Sequence, residues 1–443
     1  MLLAVAFGAA CVDRRPSVVV IGGGPAGMAA AVEASACAAV TLVEAQGSLG
    51  GSAVYGDAVT AVPSAAALTA LDAEAGHSHP ARTRYVERVR VEVIDWFHER
   101  GVSWRALPSA EGGDGTLLYE PEGGGRRLAA TLEAATRSAG VQVRTGAQVT
   151  DLDRDTAGIV VTIGAEQSTF GAAVIATGGF AGNLTRMKDK LGLGEVPLIR
   201  GAAAFADGNG IGLGIRMGGV EVDPAQAVLY AHGVPAADDA TRAVMVVDGA
   251  HVYPIDRSGR YLPEAQSPRG DSGAALLARG GTGWVIFDRK GLDHIPLWDG
   301  DRGAPVRALP AAQAHGFVTA SLDALAADLH LPVATLLAGV APRAEQANPV
   351  QPLLAGDRWA ALPLRLTTGK SLTGLRIDLD GRLLDARGER IPGLYAAGEL
   401  AGFAHPWETR HIDSTMVSGA VLTGRAAGRA VCVDRPFDDL QGP

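Results

Sequence analysis

One stretch, VVVIGGGPAGMAAAVEASACAAVTLVEA from Val18 to Ala45, constrains the fold more than any other part of the chain. It opens on a β-branched run (Val18–Ile21), turns at glycines, continues through an Ala-rich segment (Ala26–Ala36), and returns to a second apolar strand (Val40–Val43) that ends in Glu44. Strand, glycine turn, helix, strand and acid in that order are the parts of a dinucleotide-binding βαβ unit. Gly22, Gly24 and Gly27 satisfy GxGxxG. The first glycine makes the turn, the second lets backbone N–H groups approach a pyrophosphate, and the third lets helix meet strand. Pro25 and Ala26 open the helix, Glu44 is placed to accept from a ribose hydroxyl, and Ala45 follows it. GxGxxG alone is a weak signal. Flanked by both strands, the helix and the acid, it favours a nucleotide over a merely structural turn. The stretch does not by itself separate NAD from FAD.

At 443 residues the chain is too long for one small core, so two domains are expected. A formal net charge of −9 argues against a nucleic-acid partner. Cys11, Cys37 and Cys432 are scattered without a CxxC, which excludes a disulfide-reductase dithiol and a cysteine-based metal cluster and fits a reducing cytoplasm. The apolar N-terminus MLLAVAFGAAC is too short to span a bilayer and lacks a basic leader. It reads as a frayed or misassigned start rather than a lipoprotein signal. No later run suggests a membrane span, and a cytoplasmic location is expected.

Tyr85, Val86, Val89, Val93, Trp96 and Phe97 recur at helical spacing within Arg82–Arg100, with the arginines and glutamates read as a solvated face. A further helix is expected over Arg127–Ala139, and a closing helix over Ser418–Val433. From about Tyr230 to Arg343 prolines multiply and periodicity weakens. The expected organisation is an extension at 1–16, a nucleotide domain built from 17–229 and 344–443, and an inserted substrate-capping domain at 230–343. The fold class is α/β: a discontinuous Rossmann-like domain with an α+β cap.

Three later features decide between the dinucleotides. GSLGGS (Gly47–Ser52) supplies a second glycine cradle through Gly50, Gly51 and Ser52. AAVIATGG (Ala172–Gly179) runs a strand into a tight turn at Ala176, Thr177 and Gly178. IPGLYAAGEL (Ile391–Leu400) is another strand, turn and acid, ending at Gly398 and Glu399. At these points the sequence resembles FAD-binding oxidoreductases whose C-terminal segment folds back on the N-terminal one. There is no second GxGxxG with an acid, so a separate NAD(P)H domain is not expected.

The resemblance narrows further. DWFHERGVSW, ADGNGIGLGIRMGG, GRYLPEAQSPRG, GWVIFD, TTGKSLTGLRIDLDGRLLDARGERIPGLYAAGELAG and SGAVLTGRAAGRAV occur in the order found in the fumarate reductase/succinate dehydrogenase flavoprotein family. That family includes urocanate reductases, tricarballylate dehydrogenases and 3-ketosteroid Δ1-dehydrogenases. The resemblance covers nearly the whole chain from Val18. It implies FAD, hydride transfer at flavin N5 to or from a carbon next to a carbonyl or carboxylate, and a proton moved at the neighbouring carbon. It also implies Val149, Ser414 and Met416 as cofactor contacts.

By the same resemblance, Arg289 in VIFDRK stands in the place of the proton-donating arginine, with Glu264 and Arg269 as relay members. Lys370 and Ser371 stand in for the usual His-Thr pair that grips a carboxylate, and Thr373 replaces a glycine. Arg410 and His411 in ETRHIDSTM are candidates for holding a substrate oxygen or acting as acid/base, with Asp413 and Ser414 replacing a double glycine. Trp359 occupies the position of the steroid-dehydrogenase tyrosine and cannot abstract a proton. Ala53 and Val54 follow the GGS turn where a flavin-linking histidine would stand, so FAD is expected to be non-covalent.

The expected function is α,β-dehydrogenation or ene-reduction of a small, specialised metabolite, with an external electron donor or acceptor that the sequence does not identify. An amine or alcohol oxidase and a flavin-carrying electron-transfer subunit remain the alternatives.

Overall fold

Strands rich in β-branched residues and helices rich in alanine give the first layer its form. The computed structural model describes residues 16–56, 58–61, 88–108, 117–222, 227–246, 251–263, 272–294, 296–299, 304–347, 358–402 and 416–436. A six-stranded sheet contains β1 (Ser17–Ile21), β2 (Ala39–Val43), β3 (Gln142–Arg144), β4 (Ala172–Ile175), β5 (Arg382–Leu384) and β6 (Arg390–Ala396), in the order β5-β6-β4-β1-β2-β3. All neighbours run parallel except β5, which pairs antiparallel with β6. Val18, Val20, Val40 and Leu42 face one core and Val19, Ile21 and Val43 the other. A sheet buried on both faces reads as continuous apolar runs, which is why these strands were visible without alternation. The fold is a Rossmann-like α/β layer with a second, mixed unit, as the sequence led one to expect.

Helix α1 (Pro25–Ala34) starts with proline in its first turn, where a missing N–H costs nothing. It packs against the helix Met416–Asp434 (α3), with the helix Gly124–Ser138 (α2) nearby. Small residues set the approach. A Cβ on Gly424 would stand 2.1 Å from the Ala26 carbonyl oxygen, and one on Gly428 2.4 Å from that of Ala30.

That packing overturns the reading of the cysteines. Cys37, just past α1, and Cys432, near the end of α3, form a disulfide across 395 residues with Cα atoms 5.6 Å apart. Disulfides of this kind are uncommon in reducing compartments, so the cysteines do not support a reducing cytoplasm. Spacing along the chain could not show the pairing, because helix packing creates it.

The helix expected over Arg82–Arg100 is described from 88 onward, as a π-type turn (Arg90–Asp95) followed by Trp96–His98. Backbone carbonyls there bond outward: Ile94 accepts from the Trp104 indole at 3.1 Å and Glu92 from Arg425 at 2.9 Å. The charged face is not simply solvated, since the Glu92 carboxylate accepts from Arg429 at 2.6 Å and also meets Arg88.

A nine-stranded mixed sheet forms the second unit. Its backbone is Val252–Asp256, Thr282–Asp288, Trp359–Ser371, Leu198–Arg200, Asp239–Val246, Pro296–Asp299 and Ala304–Arg307, in that order. Ala227–Ala236 pairs with both Asp239–Val246 and Trp359–Ser371, and Phe317–Thr319 also pairs with the latter. The thirteen-residue strand Trp359–Ser371 is the spine of this sheet. Ala360, Leu362 and Leu364 enter one core, Trp359 and Ala361 a second, and Leu366 a third shared with β1 and β4 residues. Two three-stranded sheets complete the described architecture.

No single helix among the described residues is long and apolar enough to cross a membrane. One sharply bent pair, Leu322–Asp328 with Val333–Ala341, passes on composition, but Leu322, Leu325, Leu336 and Val340 are buried in a core with Trp359.

Candidate cofactor and substrate site

The site is built where loops leave the parallel strands. Gly22 has φ +108°, and a Cβ there would stand 2.3 Å from the Ala176 carbonyl oxygen, so only glycine fits this turn. The first N–H groups of α1, including those of Ala26 and Gly27, have no intrahelical acceptor and collect positive potential at the helix start. Gly24 faces Gly51, which has φ +52° and whose Cβ would lie 3.0 Å from the Gly24 Cα. The Gly50 N–H donates to the Gly23 carbonyl at 2.9 Å. The two glycine segments of the sequence therefore form one cradle, with Ser52 exposed at its rim.

Glu44 is anchored at the end of β2 and is 9% exposed. Its carboxylate accepts the Gly23 N–H at one oxygen and the Gln46 N–H at the other, each at 2.6 Å. Both oxygens keep further lone pairs for a ribose hydroxyl. The Ala147 N–H donates to the Glu44 carbonyl and that of Gly146 to Gln46, which brings the head of Val149–Asp155 beside the acid. Val149 and exposed Ala45 thus share the neighbourhood of Glu44.

A third group of loops closes on the cradle from the C-terminal side. Gly398 follows β6, and a Cβ on it would come 2.8 Å from that of Ala26; its N–H donates to Thr423 Oγ1 at 2.9 Å. Glu399 is buried. The Ser371 N–H and hydroxyl donate to Glu399 Oε1 at 2.8 and 2.9 Å, and the Phe180 N–H donates to Ser371 Oγ at 3.1 Å. Gly179 lies so close that a Cβ would stand 1.9 Å from Ser371 Oγ. Burial pushes the Glu399 carboxyl up, against the pull of the Ser371 hydrogen bonds and the Lys370 charge. Thr177 Oγ1 is buried without a hydrogen-bond partner beside this turn, and Gly178 is open. Met416 begins α3, and the Val417 side chain reaches within 3.3 Å of where a Cβ on Gly56 would stand.

The structure thus brings together Gly22, Gly24, Pro25, Ala26, Gly27, Gly50 and Gly51 with Gly398, and, at the adjoining joint, Gly178, Glu399 and Lys370. It sets Arg289 apart. Arg289 follows Asp288, which pairs with Trp359, whereas Lys370 lies at the other end of the same strand, roughly 36 Å of extended chain away. Its exposed guanidinium meets Asp293 at 3.8 Å on the short helix Arg289–His294, whose Leu292 is buried. Glu264, Arg269, Arg410, His411 and Ser414 lie outside the described residues. Ser371 spends its hydroxyl on Glu399 and Phe180, so it positions the joint.

Two neighbours escaped sequence reading. The Tyr230 ring lies 2.4 Å from where a Cβ on Gly369 would be, and the His232 ring is 4.7 Å from that of Tyr230. The signal available was the YAH spacing in a strand, but only pairing with the 359–371 strand brings it to Lys370.

Comparison with known proteins decides the lineage. The profile of the FAD binding domain family matches residues 17–410. The chain belongs to the FAD binding domain family. Among curated members, a KsdD-like steroid dehydrogenase of Mycobacterium tuberculosis is 26% identical over 335 residues, covering 59% of each chain. A urocanate reductase of Eggerthella lenta is 26% identical, covering 93% of this chain and 73% of its own. The chain therefore spans little more than half the length of the mycobacterial relatives it matches. Among solved structures, a 3-ketosteroid Δ1-dehydrogenase from Sterolibacterium denitrificans superposes with a TM-score of 0.75 at 15% identity, covering 94% of this chain and 100% of that one. A flavocytochrome c3 fumarate reductase superposes at 0.66 and 18% identity, covering 97% and 79%. At these identities the superpositions establish the fold.

The family's cofactor suits the residues present. A double glycine cradle, a helix start rich in free N–H groups, and a carboxylate preset by two backbone donors are what an FAD pyrophosphate and ribose require. No group of three or more His, Cys, Asp or Glu residues suited to a metal occurs among the described residues.

Proposed function

We propose that the chain is an FAD-dependent oxidoreductase that dehydrogenates, or in reverse reduces, a carbon–carbon bond next to a carbonyl or carboxylate of a small specialised metabolite. The observation that carries this reading is the junction of the FAD cradle with Ser371, Glu399 and Lys370 at the end of a strand supplied by the second sheet. When bound, FAD supplies the hydride acceptor or donor. Lys370 grips a substrate oxygen on which negative charge develops. Ser371, itself held by the Phe180 N–H, keeps Glu399 in place, and Glu44 would hold the ribose. Arg269, with Glu264, and the Arg410–His411 pair are the groups we assign to proton movement; Arg289, remote from Lys370, is left out of that path. Fumarate reductases, urocanate reductases and steroid dehydrogenases among the relatives all support C–C bond chemistry.

FAD is non-covalent in this reading, since Ala53 and Val54 follow the Ser52 turn. We keep 17–229 and 344–443 as the nucleotide domain and 230–343 as the cap by chain position, with Leu198–Arg200 and Trp359–Ser371 leaving the nucleotide domain to become strands of the cap sheet. The partners are a small-molecule substrate and an external electron donor or acceptor. The disulfide favours a location outside a reducing cytoplasm.

Anaerobic mixing of the FAD-loaded protein with saturated acids and ketones, amines and alcohols, and of its reduced form with enoic acids and enones, tests the reading. Flavin bleaching by the first group or reoxidation by the last supports it. Bleaching by amines or alcohols alone overturns it in favour of an oxidase. Full FAD content with no response to any class overturns it in favour of an electron-transfer subunit.

A further inference from the structure

Arg365 lies in the middle of the spine strand, opposite Gly233 on one side and Thr282 on the other. It is half-buried, and its guanidinium donates to the Leu364 carbonyl at 3.3 Å. No carboxylate pairs with it among the described residues. Burial, and then the like charge of Arg257, hold its pKa below the ordinary arginine value. A half-desolvated guanidinium with a cation for a neighbour and no acid is costly for stability, and such uncompensated charge clusters at binding sites.

Strand register shows which way this cation faces. Directly paired residues of antiparallel strands project to the same face. Arg365 pairs with Gly233, Thr367 with Tyr230, and Lys370 with Val228. Val228 and Tyr230 share a face by alternation, and the register shift between Val228 and Leu229 turns Lys370 onto that same face. One face of the sheet therefore carries Arg365, Thr367 and Lys370 beside the Tyr230 ring, with His232 against it. Further back, Trp359 and Ala361 on this face are covered by the helices of 322–347. Toward Glu399, Arg365 and Lys370 are partly exposed on either side of the buried Thr367.

From this geometry we infer that Arg365 is a specificity-determining residue that receives a carboxylate of the substrate, remote from the bond that reacts at the Lys370 end. The inference rests on the oxidoreductase reading for where the reaction takes place. Five residue steps of strand separate the two cations, roughly 16 Å between Cα atoms. A four-carbon diacid engages both only if the two long side chains fold in toward each other. A ring-bearing carboxylate, packed on Tyr230 and forked by Arg365, spans the interval. Lys370 then takes the carbonyl next to the reacting bond, and Arg365 sets which substrates are held there.

The test uses matched probes, 4-carboxybenzylideneacetone and its methyl ester, each an enone with the distant acid free or masked. Binding is read from perturbation of the flavin spectrum of the oxidised holoprotein, and turnover from reoxidation of the reduced form. The parent is expected to bind the acid at least tenfold more tightly than the ester. Arg365→Gln should weaken acid binding by about 10–100-fold and leave the ester unchanged, since charged hydrogen bonds of this kind contribute on that scale. FAD content should match the parent, and the melting temperature should be equal to or above the parent's, since a costly charge is removed. Arg365→Lys should recover part of the preference. Arg257→Gln, at an exposed position, should weaken the acid a few-fold, and these two variants carry the test if Arg365→Gln does not fold. Equal acid and ester binding by the parent, or unchanged acid binding in Arg365→Gln, overturns the inference. Selective acid binding without any reoxidation would leave Arg365 as an anion site and sink the oxidoreductase reading instead. Reoxidation by both probes without discrimination would do the reverse.

Discussion

Glu399 shows how one side chain can be legible in kind and not in state. The AAGEL turn marked it as an acid near the cofactor, but its burial and its bonds to Ser371 come from a strand 28 residues earlier in the chain. Burial raises its pKa above the ordinary carboxylate value of 4.5. The folded protein therefore keeps a proton on Glu399 that the unfolded chain has released once pH exceeds 4.5. Stability contributed by that proton is present at acid pH and falls as pH rises toward the folded-state value. Glu399→Gln preserves the shape and the Oε1 acceptor without the charge. In urea unfolding across a pH series, the parent should lose stability relative to Glu399→Gln above pH 4.5, with a slope of at most about 1.4 kcal/mol per pH unit for one proton. The difference should level off at higher pH. Parallel stability curves for the two proteins would show that Glu399 is ionised in the fold. Lys370 stands at the Ser371–Glu399 end of the long strand, whereas Arg289, placed by motif order beside the substrate, follows Asp288 at the other end, because strand direction carries it there.

At the level of elements, the parallel strands and α1 were readable because each carries its own signal. A β-branched run, a glycine turn and an alanine-rich helix need no distant partner to be recognised. What they pack against is another matter. The stripe of Gly424 and Gly428 on α3 fits the backbone of α1, and that contact brings Cys432 to Cys37. The bridge closes a loop over nearly the whole chain, so its loss enlarges the unfolded ensemble. Cys37→Ser should cost about 2–4 kcal/mol of unfolding free energy. Urea unfolding with and without a dithiol reductant checks this: the reductant should destabilise the parent by a similar amount and leave Cys37→Ser unaffected. A parent whose stability is unchanged while thiol titration shows the Cys37–Cys432 pair reduced, in addition to Cys11, would mean that the bridge adds nothing to stability. Closeness alone does not make the bridge stabilising, but a Cα separation of 5.6 Å is in the range a disulfide spans without backbone movement.

Across the whole molecule, the change of texture near Tyr230 signalled a second unit, yet sequence could not show that one long strand ties the two together. Trp359 sits in the helical core of the cap, Leu366 packs in the core shared with β1 and β4, and Ser371 ends on Glu399. Because alternation along this strand serves three different neighbours in turn, it produces no single hydrophobic pattern. The same continuity makes a prediction about cooperativity. FAD seated on the cradle would pack against the Gly398–Glu399 loop, Ser371 donates to Glu399, and Ser371 ends the long strand of the cap sheet. The cap should therefore feel the cofactor without touching the nucleotide end. Titrating FAD should raise one common melting transition, by about 2.7 kcal/mol of stabilisation at 100-fold excess over Kd. The transition can be followed through tryptophans of both units: Trp96 and Trp104 lie in the first, Trp284 and Trp359 in the second. Phe substitutions that leave emission from only one unit should report the same midpoint shift from either side. A second-unit transition indifferent to FAD would mean that the strand is a passive tether, and that substrate binding on the cap cannot be sensed at the flavin through it.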